Sequence, residues 1–365
     1  MILTQEQEMI RDAMRDFAQE RLAPFAGEWD RNHTFPAEAL KELGALGAMG
    51  VTVPEEWDGA GMDYMSLVLM LEEIAAGDGA TSTIVSVQNS LACGITMKYG
   101  SDEQKEKYLK PLARGDMLGC FCLTEPHTGS DASAITTRAT KDGDHFVLNG
   151  VKQFITTGKH AQVAIVFAVT DKAAGKKGIS CFLVPTETPG YIVARIEEKM
   201  GQKASDTAQI IFENCRIPAS CMLGREGDGY RIALSNLEAG RIGIAAQSVG
   251  MARAAFEAAV QYAKERQTFG KPIIEHQAVS FRLADMATQI DAARLLVWRA
   301  ATFKDAGKPC LQEASMAKMF ASEMAEKVCS DAIQILGGYG YVSDFPVERI
   351  YRDVRVCQIY EGAND

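Results

Sequence analysis

Apolar positions along the chain fall into three textures. From Thr4 to about Gly115 they recur at helical spacing: Met9, Ile10, Ala13, Met14 and Phe17 share one face, behind a Thr4–Gln7 pair with the spacing of a capping box. Further helices are predicted in "PAEALKELGALG", "MSLVLMLEEIAAG" and "SDEQKEKYLKPLARG", the last opening on a Ser N-cap and closing on Gly115. From about Asp116 to Ile217 the runs shorten and become β-rich: "MLGCFCL", "HFVLNG", "QVAIVFAV", "GISCFLV", "YIVARI" and "AQIIFENCRI". Turn signals such as Asp142-Gly143, "AAGKKG" and "TPG" separate them. No long helical pattern intervenes, which predicts an antiparallel β domain rather than a βαβ sheet. From about Gly227 long helical patterns return, in "GYRIALSNLEAGRIGIAAQSVGMARAAFEAAVQYAKER", "EHQAVSFRLADMATQIDAARLLVWRAATFKDAG" and "LQEASMAKMFASEMAEKVCSDAIQILGG". The expected class is α+β. An N-terminal helical domain would cover 1–115, a middle antiparallel β domain 116–220, and a C-terminal four-helix-bundle domain 221–365, with helix faces left for a partner subunit.

Composition narrows the function more than the fold. The 365 residues suffice for two or three domains, and 47% apolar with 24% charged content is ordinary for a globular protein. A net charge of −10 argues against nucleic acid, whose phosphates call for a basic face. No apolar run reaches membrane-spanning length, so no membrane partner is expected. "MILTQEQEMIRDAMRDF" lacks the basic and apolar regions of a secretory leader, so a cytoplasmic location is expected, with the mitochondrial matrix as the alternative if a transit peptide was removed. The nine cysteines include no C-x-x-C pair and read as reduced, buried thiols, with Cys120 and Cys122 facing one side of a strand. Five scattered histidines give no zinc-ligand spacing, and no metal is expected.

Several stretches could carry chemistry. "CFCLTEPHTGSDASAITTRA" gathers Thr124, Glu125, Pro126, Thr128, Gly129, Ser130 and Asp131 in one loop, either a plain surface turn or a set of hydroxyls and backbone N–H groups for a polar ligand. There is no G-x-G-x-x-G and no P-loop, so a nucleotide would be held in another way. Phe154 and Thr156 in "KQFITTGKHAQVAIVF" could meet a planar ring, although core packing is the commoner role of a Phe taken alone. Arg266 in "KERQTFGKPI" suits a helix C-terminus and could equally clamp a pyrophosphate. Gly337-Gly338 is either a C-cap or a point of close backbone approach. In "QIYEGAND", Glu361 is either an exposed carboxylate or a buried one whose pKa is raised toward that of a base working near neutral pH.

Taken in order, "LTEPHTGSD", "FITTG", "ERQTFGKPI", "QILGGYGYVSDFPVERIYRD" and "IYEG" resemble the acyl-CoA dehydrogenase family over essentially the whole chain. "IIFENCRIPASCMLGREGDGY" is similar to that family's link into its C-terminal helices, and the short-chain and short branched-chain members look closest. The resemblance implies FAD held non-covalently across a subunit interface. Phe121, Leu123, Thr124, Gly129 and Ser130 would line the flavin, with Phe154, Ile155 and Thr156 on its far side. Arg266, Phe269, Gln277, Gln334, Gly337 and Gly338 would reach the cofactor of the neighbouring subunit. Ser130, Glu238, Arg241, Tyr360 and Gly362 would lie along the acyl-CoA, Arg241 most directly.

By the same resemblance Glu361 takes the α-proton of the thioester while the β-hydrogen leaves as hydride to the flavin. The backbone N–H of Glu361 and a ribityl hydroxyl would polarise the thioester carbonyl. Electrons would pass to an electron-transferring flavoprotein, and the assembly would be a homotetramer, at least a dimer. Gly240 with Glu361 is the commoner layout; isovaleryl-type members carry the base at the position of Gly240. A short branched-chain (2-methylacyl) substrate, an oxygen-using flavin oxidase and a non-catalytic acyl-CoA-binding scaffold are the competing readings. The chain departs from the family pattern at His127, Phe154 and Ala363, and further residues completing a final helix are expected beyond Asp365.

Overall fold

The computed structural model describes residues 2–365. Helices occupy the stretch to Arg114, beginning where Thr4 caps: its Oγ1 accepts from the Gln7 N–H at 3.2 Å while Gln7 Oε1 accepts from the Thr4 N–H at 3.1 Å. Two helices here are buried on every side, Tyr64–Gly77 and Gly79–Val87, which is why neither shows a clean apolar stripe. Asp63 and Asp78 cap them, accepting from the N–H groups of Ser66 and Thr81 at 2.7 and 2.8 Å. The second continues through a π-helical turn, Gln88–Cys93, into Gly94–Tyr99.

Eight strands follow: β1 Gly119–Cys122, β2 Arg138–Asp142, β3 His145–Thr156, β4 Val163–Val169, β5 Ile179–Pro185, β6 Tyr191–Ile196, β7 Thr207–Pro218 and β8 Met222–Leu223. They form one sheet in the order β6-β7-β3-β2-β4-β5-β8, with β1 beside β4. The pairings are antiparallel as expected except at β1, which runs parallel to β4, and at one parallel bridge from Arg138 to Val169. β1 enters from the helical region rather than from a hairpin, and forty residues separate it from β4, so a parallel pairing is open to it. β4 and β5 are buried along nearly their whole length, which accounts for their unbroken apolar runs. All nine cysteines are free and buried, and the Cys120 and Cys122 sulfurs lie 3.9 Å apart on one side of β1.

Three long helices follow, Gly229–Glu265, Gln277–Asp305 and Leu311–Leu336, and shorter ones run from Gly338 to Gln358. Tyr64–Gly77 packs against the first two, so the four-helix layer is completed by an N-terminal element. Charge is buried at that contact. Glu72 meets Arg294 at 2.9 Å and Arg253 at 3.3 Å, Glu73 also pairs with Arg253, and Arg15 of the helix Gln5–Phe17 reaches Glu73 from outside the contact at 2.8 Å. Among the described residues no helix is long and apolar enough to cross a membrane.

Candidate active site

The helix Val347–Val354 is followed by a short turn, and the chain then reaches Tyr360. The Tyr360 hydroxyl is drawn inside, accepting from Gln247 Nε2 and, at 3.3 Å, from Gln202 Nε2, with Thr83 Oγ1 also at 3.3 Å. Burial holds its phenol far above the ordinary range. The backbone then turns left-handed at Glu361 (φ 53°) and Gly362 (φ 97°). This reversal sends the Glu361 side chain onto the long helix. Its Oε2 is buried and has no hydrogen-bond partner.

Gly240 makes the seat. A Cβ built there would lie 2.5 Å from Glu361 Oε2 and 2.7 Å from its Cδ, so only glycine leaves room for the carboxylate. Burial raises the Glu361 carboxyl to about 7, against the pull of Arg241 and Lys318 in the other direction. Both cations touch the backbone rather than the carboxylate. Arg241 Nε donates to the Glu361 carbonyl at 3.2 Å and its Nη1 to Ser315 Oγ at 3.0 Å. Lys318 Nζ donates to the Gly362 carbonyl at 2.5 Å and to Asn364 Oδ1 at 2.8 Å.

Lys318 and Ser315 were not among the residues singled out above, because a lysine on a long helix ordinarily reads as solvated. The signal was its spacing: Lys318 shares a face with Ala314, Ala321, Ser322 and Ala325, all buried. Glu238, one helical turn before Arg241, is engaged elsewhere. Lys304 pairs with it at 3.0 Å and Cys310 Sγ donates to it at 2.9 Å, tying three helices together.

The loop after β1 is braced from below. Lys152, fully buried on β3, donates to Glu125 Oε1 at 2.8 Å and to the Leu123 carbonyl at 3.0 Å. Glu125 also accepts from the Thr136 and Thr137 N–H groups at 2.7 and 3.0 Å. Against the upward push of burial, Lys152 and these donors hold the Glu125 carboxyl at about 2. Glu125 is therefore a strut within the loop.

On this support Leu123 is buried, Thr124 half-buried, and Gly129 and Ser130 are exposed. The Phe121 ring packs edge-on against Phe167 at 5.0 Å. The His127 ring is half-exposed, with its Nε2 3.1 Å from the Ala134 carbonyl.

Phe154 departs from the core role expected of a phenylalanine taken alone: it is 63% exposed. The β3–β7 register slips between Lys152 and Ile155, and Phe154 adopts φ 59° at that bulge, which turns its ring out of the sheet. Ile155, by contrast, points into the sheet core, so only its backbone is available to a ligand; Thr156 is half-buried. Arg266, Phe269 (96% exposed) and Gln277 stand at the far end of the long helix, and Gln334, Gly337 and Gly338 are exposed at the end of Leu311–Leu336. Among the described residues neither group is hydrogen-bonded to the Glu361 seat or to the loop after β1. The predicted site residues thus form separate clusters within one chain.

The Glu361 cluster provides an unpartnered carboxylate with near-neutral pKa. The β-domain cluster provides an outward aromatic ring, loop hydroxyls and a rigid support, a set that suits the face and polar edge of a flavin. All three parts of the chain have counterparts among known proteins. Residues 4–116, 120–215 and 227–365 match the family models described as acyl-CoA dehydrogenase N-terminal, middle and C-terminal domains. The short-chain specific acyl-CoA dehydrogenase of rat mitochondria is 48% identical over 363 residues, covering 100% of this chain and 88% of that protein. The solved structure of butyryl-CoA dehydrogenase from Megasphaera elsdenii superposes with a TM-score of 0.98 at 44% identity, covering 100% of this chain and 96% of that one. A chain of the structure described as the electron transferring flavoprotein of Acidaminococcus fermentans, bearing on flavin-based electron bifurcation, gives the same TM-score of 0.98 at 47% identity and the same coverage, 100% and 96%.

Proposed function

Because the chain belongs to the acyl-CoA dehydrogenase family, we propose that it converts a short-chain acyl-CoA to the trans-2-enoyl-CoA with Glu361 as the base. The observation that carries this reading is the buried, unpartnered Glu361 Oε2 above Gly240. A carboxylate that is buried without donors holds a proton more readily than one in water, which is the property required for removing a weakly acidic α-proton. The Glu361 N–H has no partner within the chain among the described residues and is free to donate to the thioester carbonyl, where negative charge develops as the proton leaves. Arg241 borders the same turn and would orient the thioester side of the substrate.

Thr124, Ser130, Phe154 and Thr156 are the residues that would hold FAD in its own subunit, with Arg266, Phe269, Gln277, Gln334, Gly337 and Gly338 serving the partner's cofactor. Bound FAD supplies the acceptor for the β-hydrogen as hydride. Such sharing needs at least a dimer, and a homotetramer is the assembly proposed. The likeness to a chain from the electron transferring flavoprotein structure favours such a flavoprotein as the electron acceptor.

Anaerobic addition of butyryl-CoA to the FAD-loaded protein should bleach the visible flavin band. Because Glu361 acts deprotonated, the bleaching rate should rise with pH through about 7 and level off above it. A flavin that stays oxidised with butyryl-CoA but bleaches with a 2-methylacyl-CoA would move the substrate to the branched class. Oxygen uptake during turnover would mark an oxidase instead.

A further inference from the structure

We propose that Lys318 is a positioning residue for the Glu361 base, clamping from below the left-handed turn that seats the carboxylate over Gly240. The inference rests on the assignment of Glu361 as base and adds to it a residue whose hydrogen bonds go to the turn and not to the carboxylate.

Three observations converge on it. Lys318 is only 3% exposed on a helix face where Ala314, Ala321 and Ser322 are also buried, so its ammonium has been taken out of water. It does not spend its charge on a carboxylate: both hydrogen bonds go to neutral oxygens of the terminal turn, the Gly362 carbonyl at 2.5 Å and Asn364 Oδ1 at 2.8 Å. The turn it holds is the one where Glu361 takes φ 53°, a conformation that a residue with a side chain keeps only when its surroundings fix it. Arg241 supplies the matching hold from the other helix, on the Glu361 carbonyl. With both carbonyls engaged, the Glu361 backbone cannot rotate toward the ordinary right-handed region, and the carboxylate stays in the notch. The charged and titratable groups facing Lys318 are Arg241, Glu361, Glu323 and Cys357. Burial lowers its own affinity for the proton, to about 8, against the opposing pull of Cys357 and Glu361.

The test uses Lys318→Met, which keeps the length and removes the donors, in the FAD-loaded full-length protein. Loss of the clamp is expected to slow anaerobic flavin reduction by butyryl-CoA by about tenfold to a hundredfold, the effect of misplacing a reacting group by around an ångström. The Kd for butyryl-CoA and the FAD content should stay near wild type. Removing a nearby cation should also move the acid limb of the reduction rate upward by roughly half a unit or more. Asn364→Ala, which takes away one ammonium partner together with the Asn364 bonds to Ser322 and Glu323 but leaves the cation in place, should slow reduction by a smaller margin and leave the acid limb where it is. Glu361→Gln is run in parallel. If it reduces flavin at the wild-type rate, the base assignment itself fails. If it is inactive while Lys318→Met keeps both the wild-type rate and the wild-type acid limb, only the role of Lys318 is overturned. Should Lys318→Met not fold, an Asn364→Ala protein with an unchanged rate overturns it equally.

Discussion

Glu361→Gln is expected to leave a yellow, folded protein whose flavin is reduced by butyryl-CoA roughly a thousandfold more slowly than wild type, within the usual range for loss of a general base. The amide has nearly the shape of the carboxylate, so the seat above Gly240 stays filled and the backbone turn has no cause to move. Stability gives an independent readout with a definite sign. The folded carboxyl titrates at about 7 against an ordinary value of 4.5. Between those values the folded protein binds more protons than the unfolded chain, so this group's contribution to stability falls as pH rises through the window. The variant lacks that loss. Its melting temperature relative to wild type should therefore climb as pH goes from about 4.5 to 7, and then stay level. Anaerobic stopped-flow reduction with thermal melts over this pH range checks both halves. Wild-type reduction rates in the variant would remove Glu361 from the chemistry.

Gly240→Ala is the second large effect, and it works through space alone. Its Cβ would come within 2.5 Å of Glu361 Oε2 and 2.7 Å of Cδ, closer than such atoms approach, so the carboxylate must leave its place. A displacement near an ångström costs about a hundredfold in rate when it moves the reacting group. Helix stability argues the other way: an alanine inside a helix is favoured over glycine by about 1 kcal/mol. The expected signature is thus a protein that melts no lower than wild type by more than a few degrees, retains FAD, and reduces slowly. In the Glu361→Gln background the same alanine should add almost nothing to the rate defect, because residues acting as one unit are not additive. Full activity in the single variant would mean that the carboxylate works from some other position.

How much of this was legible beforehand differs from residue to residue. The helix–β–helix order followed from periodicity, since long amphipathic or apolar runs and short β-rich runs separated by turn residues leave little choice. The parallel place of β1 did not, because strand direction is settled by long-range pairing and not by any local pattern. Phe154 shows the limit of side-chain frequency. Phenylalanines are mostly buried, but one bulge in the β3–β7 register reverses the direction of a side chain, and a bulge has no fixed sequence mark. Gly240 and Glu361 were linked only by family resemblance; the steric reason, one side chain's carboxylate occupying the volume of another's missing Cβ, exists only across 121 positions of chain brought together by folding. Lys318 was hidden for the opposite reason, since charge suggested solvent while its helical neighbours already pointed inward.

The Tyr360 hydroxyl, one residue from the proposed base, is bonded to or in contact with Gln247 of the long helix, Gln202 of the segment leading to β7 and Thr83 of the buried N-terminal helix. Each of these comes from a different one of the three regions that the chain lays down in order. A local loosening between any two of them breaks part of this knot before it exposes much core. The position of the carboxylate then depends on all three regions at once, so that partly opened forms, even with their own secondary structure intact, should lose the placement of the proposed base.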